Sequence, residues 1–132
     1  MAEPGGPDPR VGLRVTHRRY VPYGHAHYGG SLLDGAYVLG MFGDVATELC
    51  IRTDGDEGLL AGYEELRFLA AVRAGDVLEA TAVLARVGRR SRGVEFEARV
   101  VCRAARDRSP SAAEVLAEPL VVVQARGTVV VP

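Results

Sequence analysis

From His25 to Glu48 the chain reads HAHYGGSLLDGAYVLGMFGDVATE, a glycine-rich, histidine-bearing turn running into one long apolar helix. At about 100° per residue, Asp34, Tyr37, Met41, Asp44 and Glu48 fall within an arc of roughly 80°. Leu32, Leu33, Ala36, Leu39, Phe42, Val45, Ala46 and Leu49 occupy the rest of the surface and are core material. A helix apolar on so many sides needs other structure around it, so its acidic stripe is expected to be shielded from open water. Carboxylates in such a place need partners, protonation or a task.

Two starts fit this helix. Ser31 is a good N-cap, and Asp34 three residues on completes a capping-box-like entry. A start one turn later, near Gly35, satisfies the pattern equally well. The helix is expected to end around Cys50 to Arg52, before the turn-rich TDGDEG.

On either side of the helix the period changes to two. Gly12 to Val21 reads as a first strand, and Leu60 to Val72 as the strand after the helix. Val77 to Val87 alternates cleanly, with Val77, Glu79, Thr81, Val83, Ala85 and Val87 on one face. Gly93 to Arg103 alternates through Val94, Phe96, Ala98 and Val100. Leu120 to Val131 is the last strand, with Gly127 marking a bulge or bend. One helix against such strands gives an α+β layer fold, and the apolar circumference of the helix implies a sheet that curls around it.

With 132 residues, 48% of them hydrophobic and 25% charged, the chain builds one soluble domain with its own core. MAEPGGPDPR reads as a disordered tail over residues 1–10, without the apolar run of a signal peptide, and residues 11–132 form the domain. A formal net charge of −1 leaves no excess of positive charge for nucleic acid. No segment has the length of apolar sequence that spans a membrane. Cys50 and Cys102 give no disulfide framework, so the cytoplasm is the expected compartment.

The phrases FLAAVRAGD and RVGRRSRGVEFEA, following such a helix, resemble those of hotdog-fold acyl-CoA enzymes, in which one long central helix is wrapped by a curved antiparallel sheet. Within that superfamily, HYGGSLLDGAYVLGMFGDVATELCIRTDGDEGLLAGYEELRFLAAVRAGD is similar to the 3-aminobutyryl-CoA ammonia-lyase family. The resemblance runs from about Val11 to Val101 and implies a homodimer or higher homo-oligomer. It also implies reversible elimination of ammonia from a 3-aminoacyl thioester of coenzyme A, with no cofactor beyond the coenzyme A of the substrate.

That reaction needs a donor to polarise the thioester carbonyl, a base for the proton between the two functional carbons, and a hold on the departing nitrogen. Unsatisfied N–H groups at a helix entrance supply the first. Gly29, Gly30 and Ser31 are the donors if the helix starts early, Gly35 and Ala36 if it starts late. A carboxylate is the natural base. Asp44 is the first choice, and its 24-residue spacing to Phe68 resembles that of the helix acid in acyl-CoA thioesterases of this fold. His27, Asp34 and Glu48 are the other candidates, one of which can cradle the ammonium. Arg89, Arg90 and Arg92, with Ser91 between them, form a basic turn suited to coenzyme A phosphates.

Distance adds a condition. At 1.5 Å per residue, Gly30 and Asp44 would lie roughly 21 Å apart along one helix. They cannot touch one thioester from the same subunit, so the site is expected to join the turn of one protomer to Asp44 of another across antiparallel helices.

Plainer readings stand beside these. Asp44 also suits a helix acid paired with an arginine on a neighbouring strand, Asp34 an N-cap, His27 a loop histidine, and the basic turn a solvated hairpin tip. His25 and His27 form an H-x-H pair, but without a third ligand no metal is expected. The same fold also hosts acyl-CoA thioesterases and enoyl-CoA hydratases, or a module that only binds acyl groups. The thioester is carried by coenzyme A or by the arm of a carrier protein.

Overall fold

The long helix begins where Asp34 can close it. The Asp34 carboxylate accepts the Tyr37 N–H at 2.9 Å, and α1 runs from Gly35 to Asp54. Of the two starts the sequence allowed, this is the later one. Its far end is closed by Gly55 at φ 65°, whose N–H reaches the Ile51 carbonyl at 2.9 Å. A left-handed residue at this position satisfies an otherwise orphaned carbonyl, and glycine adopts it without a Cβ clash.

The computed structural model describes residues 7–132. Around α1 lie β1 (Arg14–Tyr20), β2 (Leu59–Phe68), β3 (Val77–Val87), β4 (Ser91–Ala104) and β5 (Ala113–Val130). They form one antiparallel sheet in the order β1-β3-β4-β5-β2. Both edge strands therefore flank the helix in sequence, and the three central ones follow it. Residues 1–6 of the expected tail lie outside the described residues. Its remainder is tied down: Arg10 pairs with Asp8 at 2.9 Å and with Asp54 at 2.9 Å. The Arg10 hydrogen bonds hold the Asp8 carboxyl at about 2.

The core is the seam between α1 and the sheet. Val38, Met41, Phe42, Val45, Leu49 and Cys50 are buried from the helix. Beneath them β3 presents Leu78, Ala80, Ala82 and Leu84, and β4 presents Val94, Phe96, Ala98 and Val100. The three buried alanines let the helix lie close. Phe42 fills the remaining gap by stacking on Phe96, with centroids 4.9 Å apart. The β3 face bearing Glu79, Thr81 and Val83 is thus the outer one. There Glu79 sits between its register partners Arg18 and Arg99, at 2.5 and 2.7 Å, in a charge ladder crossing three strands.

Two strand boundaries and one irregularity depart from the sequence pattern. β2 stops at Phe68, because residues 69–74 turn onto the helix entrance: Leu69 N–H bonds to the Val122 carbonyl, and Leu33 N–H to that of Val72. β5 starts at Ala113, earlier than expected, since its first half pairs with the end of β4 despite Pro119, across a register shift between Val100 and Cys102. The irregularity expected at Gly127 falls on its partner strand, in shifts flanking Gly62. A Cβ on Gly127 would come 2.8 Å from the Gly62 carbonyl. Among the described residues no helix is long and apolar enough to cross a membrane.

The basic turn is turned inward at one residue. Arg92 is buried, donates to Asp54 at 2.6 Å, and also donates to the carbonyls of Gly88 and Ser91 at 2.7 and 2.8 Å. This overturns its expected role as a phosphate ligand, because its guanidinium is fully engaged and out of reach of solvent. Arg89 and Arg90 stay exposed, and Ser91 accepts a hydrogen bond from Arg86.

Two outcomes follow for stability. Asp54→Ala leaves the Arg92 guanidinium buried without its counter-charge and should destabilise the fold by about 3 kcal/mol, read as a shifted urea midpoint at unchanged slope. The Arg92 hydrogen bond lowers the Asp54 carboxyl, and Arg18 with Arg99 lowers that of Glu79. The stability these groups contribute is therefore complete above the ordinary carboxylate pKa of about 4 and is lost as pH falls through their lower folded values. Asp54→Asn with Glu79→Gln should flatten that acid limb in unfolding measured from pH 6 to pH 2.

Candidate active site

At the helix entrance, Leu33, Asp34, Gly35 and Val38 face Phe68–Val72 and Val123 across a cavity of about 490 Å³. Its wall is apolar apart from Asp34 and the backbone. The N–H groups of Gly35 and Ala36 belong to the first turn, which has no partners of its own, at the positive end of the dipole. Gly35 is needed here for space: a Cβ would come 2.9 Å from the Phe68 ring. Phe68 thus lies across the helix start, with 56% of it exposed in the single chain.

Asp34 does two things at once. One oxygen caps the helix through Tyr37 N–H, and the other lies 3.7 Å from Nδ1 of His27. His27 is exposed and packs edge-on against Tyr28. His25 turns elsewhere, its Nδ1 2.8 Å from the Tyr37 hydroxyl. The two histidines of the H-x-H pair therefore have different partners. Among the described residues no group of three His, Cys, Asp or Glu is placed to hold a metal.

Gly29, Gly30 and Ser31 are not part of α1. They form a separate bend, pinned by His27 and Tyr28 N–H to the Leu32 carbonyl and by Ala74 N–H to the Ser31 carbonyl. Gly30 has φ 76° and Ser31 φ 63°. For serine that conformation costs ~1–2 kcal/mol, and such outliers gather where binding demands them. With the late start, the N–H groups that enter the helix are those of Gly35 and Ala36.

Asp44 lies elsewhere. It is nine residues beyond Gly35, about 13 Å along the axis, beside a cavity of about 360 Å³ lined by Thr16–Arg19 and Met41. Its side chain is 60% exposed and pairs with Arg19 at 3.4 Å. The same guanidinium lies 5.5 Å from the Tyr37 ring centroid. Glu48 bonds to Nε2 of His17 at 2.8 Å and to Arg52 at 2.8 Å, and the two bonds, His17 first, lower its carboxyl below the ordinary range. Both Glu48 oxygens are therefore already engaged.

The expected shielding of the stripe does not hold within one chain. β1 is only seven residues long and forms the sheet edge, so its inward side chains His17 and Arg19 meet the acids from one side and leave Asp44 open. Ala36, expected in the core, is exposed as well, in line with Gly40, Asp44, Thr47 and Ile51. His17 and Arg19 are the residues that reading the sequence missed. Only their alternation on β1 with buried Val15 signalled that they share the helix-facing side.

No protein-family profile matches the chain. It is 51% identical over 107 residues to the 3-aminobutyryl-CoA ammonia lyase of Acetoanaerobium sticklandii, across 81% of this chain and 85% of that protein. Its structure is similar to the β-alanyl-CoA:ammonia lyase of Clostridium propionicum, with a TM-score of 0.87, 32% identity, and coverage of 92% of this chain and 86% of that one. A hexameric thioesterase from Yersinia pestis shares the fold alone, with a TM-score of 0.72 at 15% identity over 92% of this chain and 87% of that one. This hotdog-fold chain belongs to the 3-aminobutyryl-CoA ammonia-lyase family.

Proposed function

We propose that the protein is a carbon–nitrogen lyase that reversibly eliminates ammonia from a 3-aminoacyl thioester of coenzyme A, giving the enoyl thioester. The observation that carries this reading is the 51% identity spanning 85% of a 3-aminobutyryl-CoA ammonia lyase. The apolar cavity at the helix entrance supports it, since it offers backbone donors beside a single carboxylate.

In the forward direction a carboxylate takes the proton from the carbon next to the carbonyl. The C–H electron pair becomes the new double bond, and the C–N bond breaks with its pair leaving on nitrogen, so an ammonium group departs as neutral ammonia. Charge building on the thioester oxygen is met by the Gly35 and Ala36 N–H groups. A carboxylate suits the role of base, and it is assigned to Asp44. Asp34 and His27, 3.7 Å apart at the helix entrance, hold the departing nitrogen.

Asp44 lies too far along α1 to reach the entrance cavity of its own chain. The reading therefore uses two subunits, with the helix entrance of one meeting Asp44 of its partner in a homodimer or a larger assembly. Three features support such an assembly. The ten-residue β2 is an unpaired edge, Leu59 and Phe68 on it are largely exposed, and the open side of α1 carries Ala36, Gly40, Gly43 and Thr47. Helices with such small side chains can approach closely. The compartment consistent with free Cys50 and Cys102 is the cytoplasm.

Mass spectrometry of the protein mixed with crotonyl-CoA and ammonium decides between activities. Addition of ammonia is expected; addition of water would make it a hydratase, and release of coenzyme A a thioesterase. Asp44→Asn should lower turnover by at least about a hundredfold, and near-normal rates would move the base to Asp34 or His27.

Mixing tests the shared site. Gly35→Ala pushes a methyl into Phe68 and Asp44→Asn removes the carboxylate, so each variant alone should be inactive. Unfolded and refolded together, the pair should recover up to about a quarter of wild-type turnover, because half of the dimers then hold one intact site of two. No recovery would place both groups in one subunit.

A further inference from the structure

The bend that keeps Gly30 and Ser31 outside the helix also lines a second cavity, of about 320 Å³, together with Arg73, Arg103 and Arg106. Three guanidiniums in one cleft repel one another, so each needs a local hold. Arg103 is clamped by Asp76, Nε to Oδ1 at 2.9 Å and Nη2 to Oδ2 at 2.8 Å, and also donates to the Ala71 carbonyl at 3.1 Å. Asp76 is wholly buried and accepts the Arg73 N–H at 2.8 Å. Arg106 lies over the Tyr23 ring, 4.7 Å from its centroid. Tyr23 in turn packs on the backbone of Gly75, where a Cβ would come 3.1 Å from its hydroxyl. Arg73 is fixed through its backbone bridge to Leu32, and its guanidinium has no carboxylate partner among the described residues.

Two carboxylates share this cleft. Asp76 is matched by Arg103, and Asp107 is exposed, so the arginines remain in excess. One cation oriented by a buried carboxylate, one laid on an aromatic ring and one with no carboxylate partner suit a multiply charged anion.

We propose that this cleft binds the phosphate-bearing nucleotide end of coenzyme A, with Arg73 and Arg106 as phosphate ligands and Arg103 as a third, already oriented cation. The proposal rests on the acyl-CoA reading above and deepens it. Position supports it: Leu33, Ala71 and Val72 line the entrance cavity, while Ser31, Arg73 and Ala74 line this one. A pantetheine arm laid along residues 71–74 joins a thioester at the helix entrance to a nucleotide in the arginine cleft. The left-handed Ser31 sits at the junction. Within the same chain, the Arg89–Arg90 turn adjoins Asp54 through Arg92, at the other end of a 20-residue helix and about 28 Å away along it.

The test uses the intact enzyme and two probes. Adenosine 3′,5′-bisphosphate is titrated calorimetrically, and crotonyl-CoA is compared with crotonyl-pantetheine, which lacks the nucleotide, in ammonia addition. Arg73→Ala with Arg106→Ala should weaken bisphosphate binding and raise KM for crotonyl-CoA by at least about tenfold each. The change should sit in KM rather than kcat, and KM for crotonyl-pantetheine should stay unchanged. The lysine variants Arg73→Lys and Arg106→Lys should recover part of the loss.

An equal rise for both thioesters would overturn the proposal, as would an active enzyme whose KM ignores the double variant. So would a loss confined to Arg89→Ala with Arg90→Ala, or a preference for a carrier-protein thioester that the variant leaves intact. Bisphosphate binding that depends on the two arginines, in a protein that adds no ammonia to crotonyl-CoA, would support the cleft and defeat the lyase reading instead.

Discussion

The close seating of α1 on a sheet floored with alanine fixes the position of everything else. Ala80, Ala82 and Ala98 are wholly buried, and Phe42 stacked on Phe96 sets the rotation of the helix about its axis. With that rotation fixed, the acids cannot face the core. Asp44 and Glu48 emerge at the β1 edge, where Arg19 and His17 point inward to meet them. The same seating aims the helix entrance at residues 68–72 and so forms the apolar cavity there. Packing at native density tolerates little adjustment, so the polar geometry follows from the apolar one.

All the positive side chains of this protein are arginines, sixteen of them. That choice has structural consequences. Arg92 on Asp54, Arg103 on Asp76 and Arg99 on Glu79 each use two guanidinium nitrogens against one carboxylate. A planar fork matches a carboxylate in this way and lysine does not. The three carboxylates are nearly inaccessible, and each would be costly without its partner. They pin the ends of elements: Asp54 joins the helix end to the β3–β4 turn, and Asp76 joins the β3 start to the β4 end. Two of the pairs outside this framework, Arg19 with Asp44 and His27 with Asp34, are longer and more exposed. Those looser groups are also the ones assigned to chemistry, where a partner must be exchangeable.

Period was enough to read the central strands and the helix, because their inward residues are apolar at regular spacing. Val94, Phe96, Ala98 and Val100 alternate in sequence and all lie inside. The helix start was ambiguous because Ser31 and Asp34 are both good caps. A distant contact decides it, since Ala74 N–H holds the Ser31 carbonyl in the bend. The first half of β5 was missed because Pro119 and exposed Val115 break the pattern that local reasoning follows. Arg92 looks like part of a solvated tip, and only Asp54, 38 residues earlier, draws it inside. What escaped the sequence was thus non-local throughout: side chains whose partners lie far along the chain, and a sheet edge whose neighbour is a face of the helix.

The helix acts as a ruler in this reading. Its entrance offers donors beside a carboxylate already engaged as the N-cap, and a point about 13 Å along it offers the Asp44 carboxylate. In this reading the entrance supplies the polarising donors and Asp44 the base. Bringing the two together within one chain would require a break in α1, which is continuous and capped at both ends. A second copy needs no such break, because an antiparallel neighbour brings its own midpoint toward the entrance of the first. In this reading the exposed small residues of the helix and the open acid belong to a surface that a second copy covers. On that arrangement Asp44, open to water in the single chain, lies between two copies.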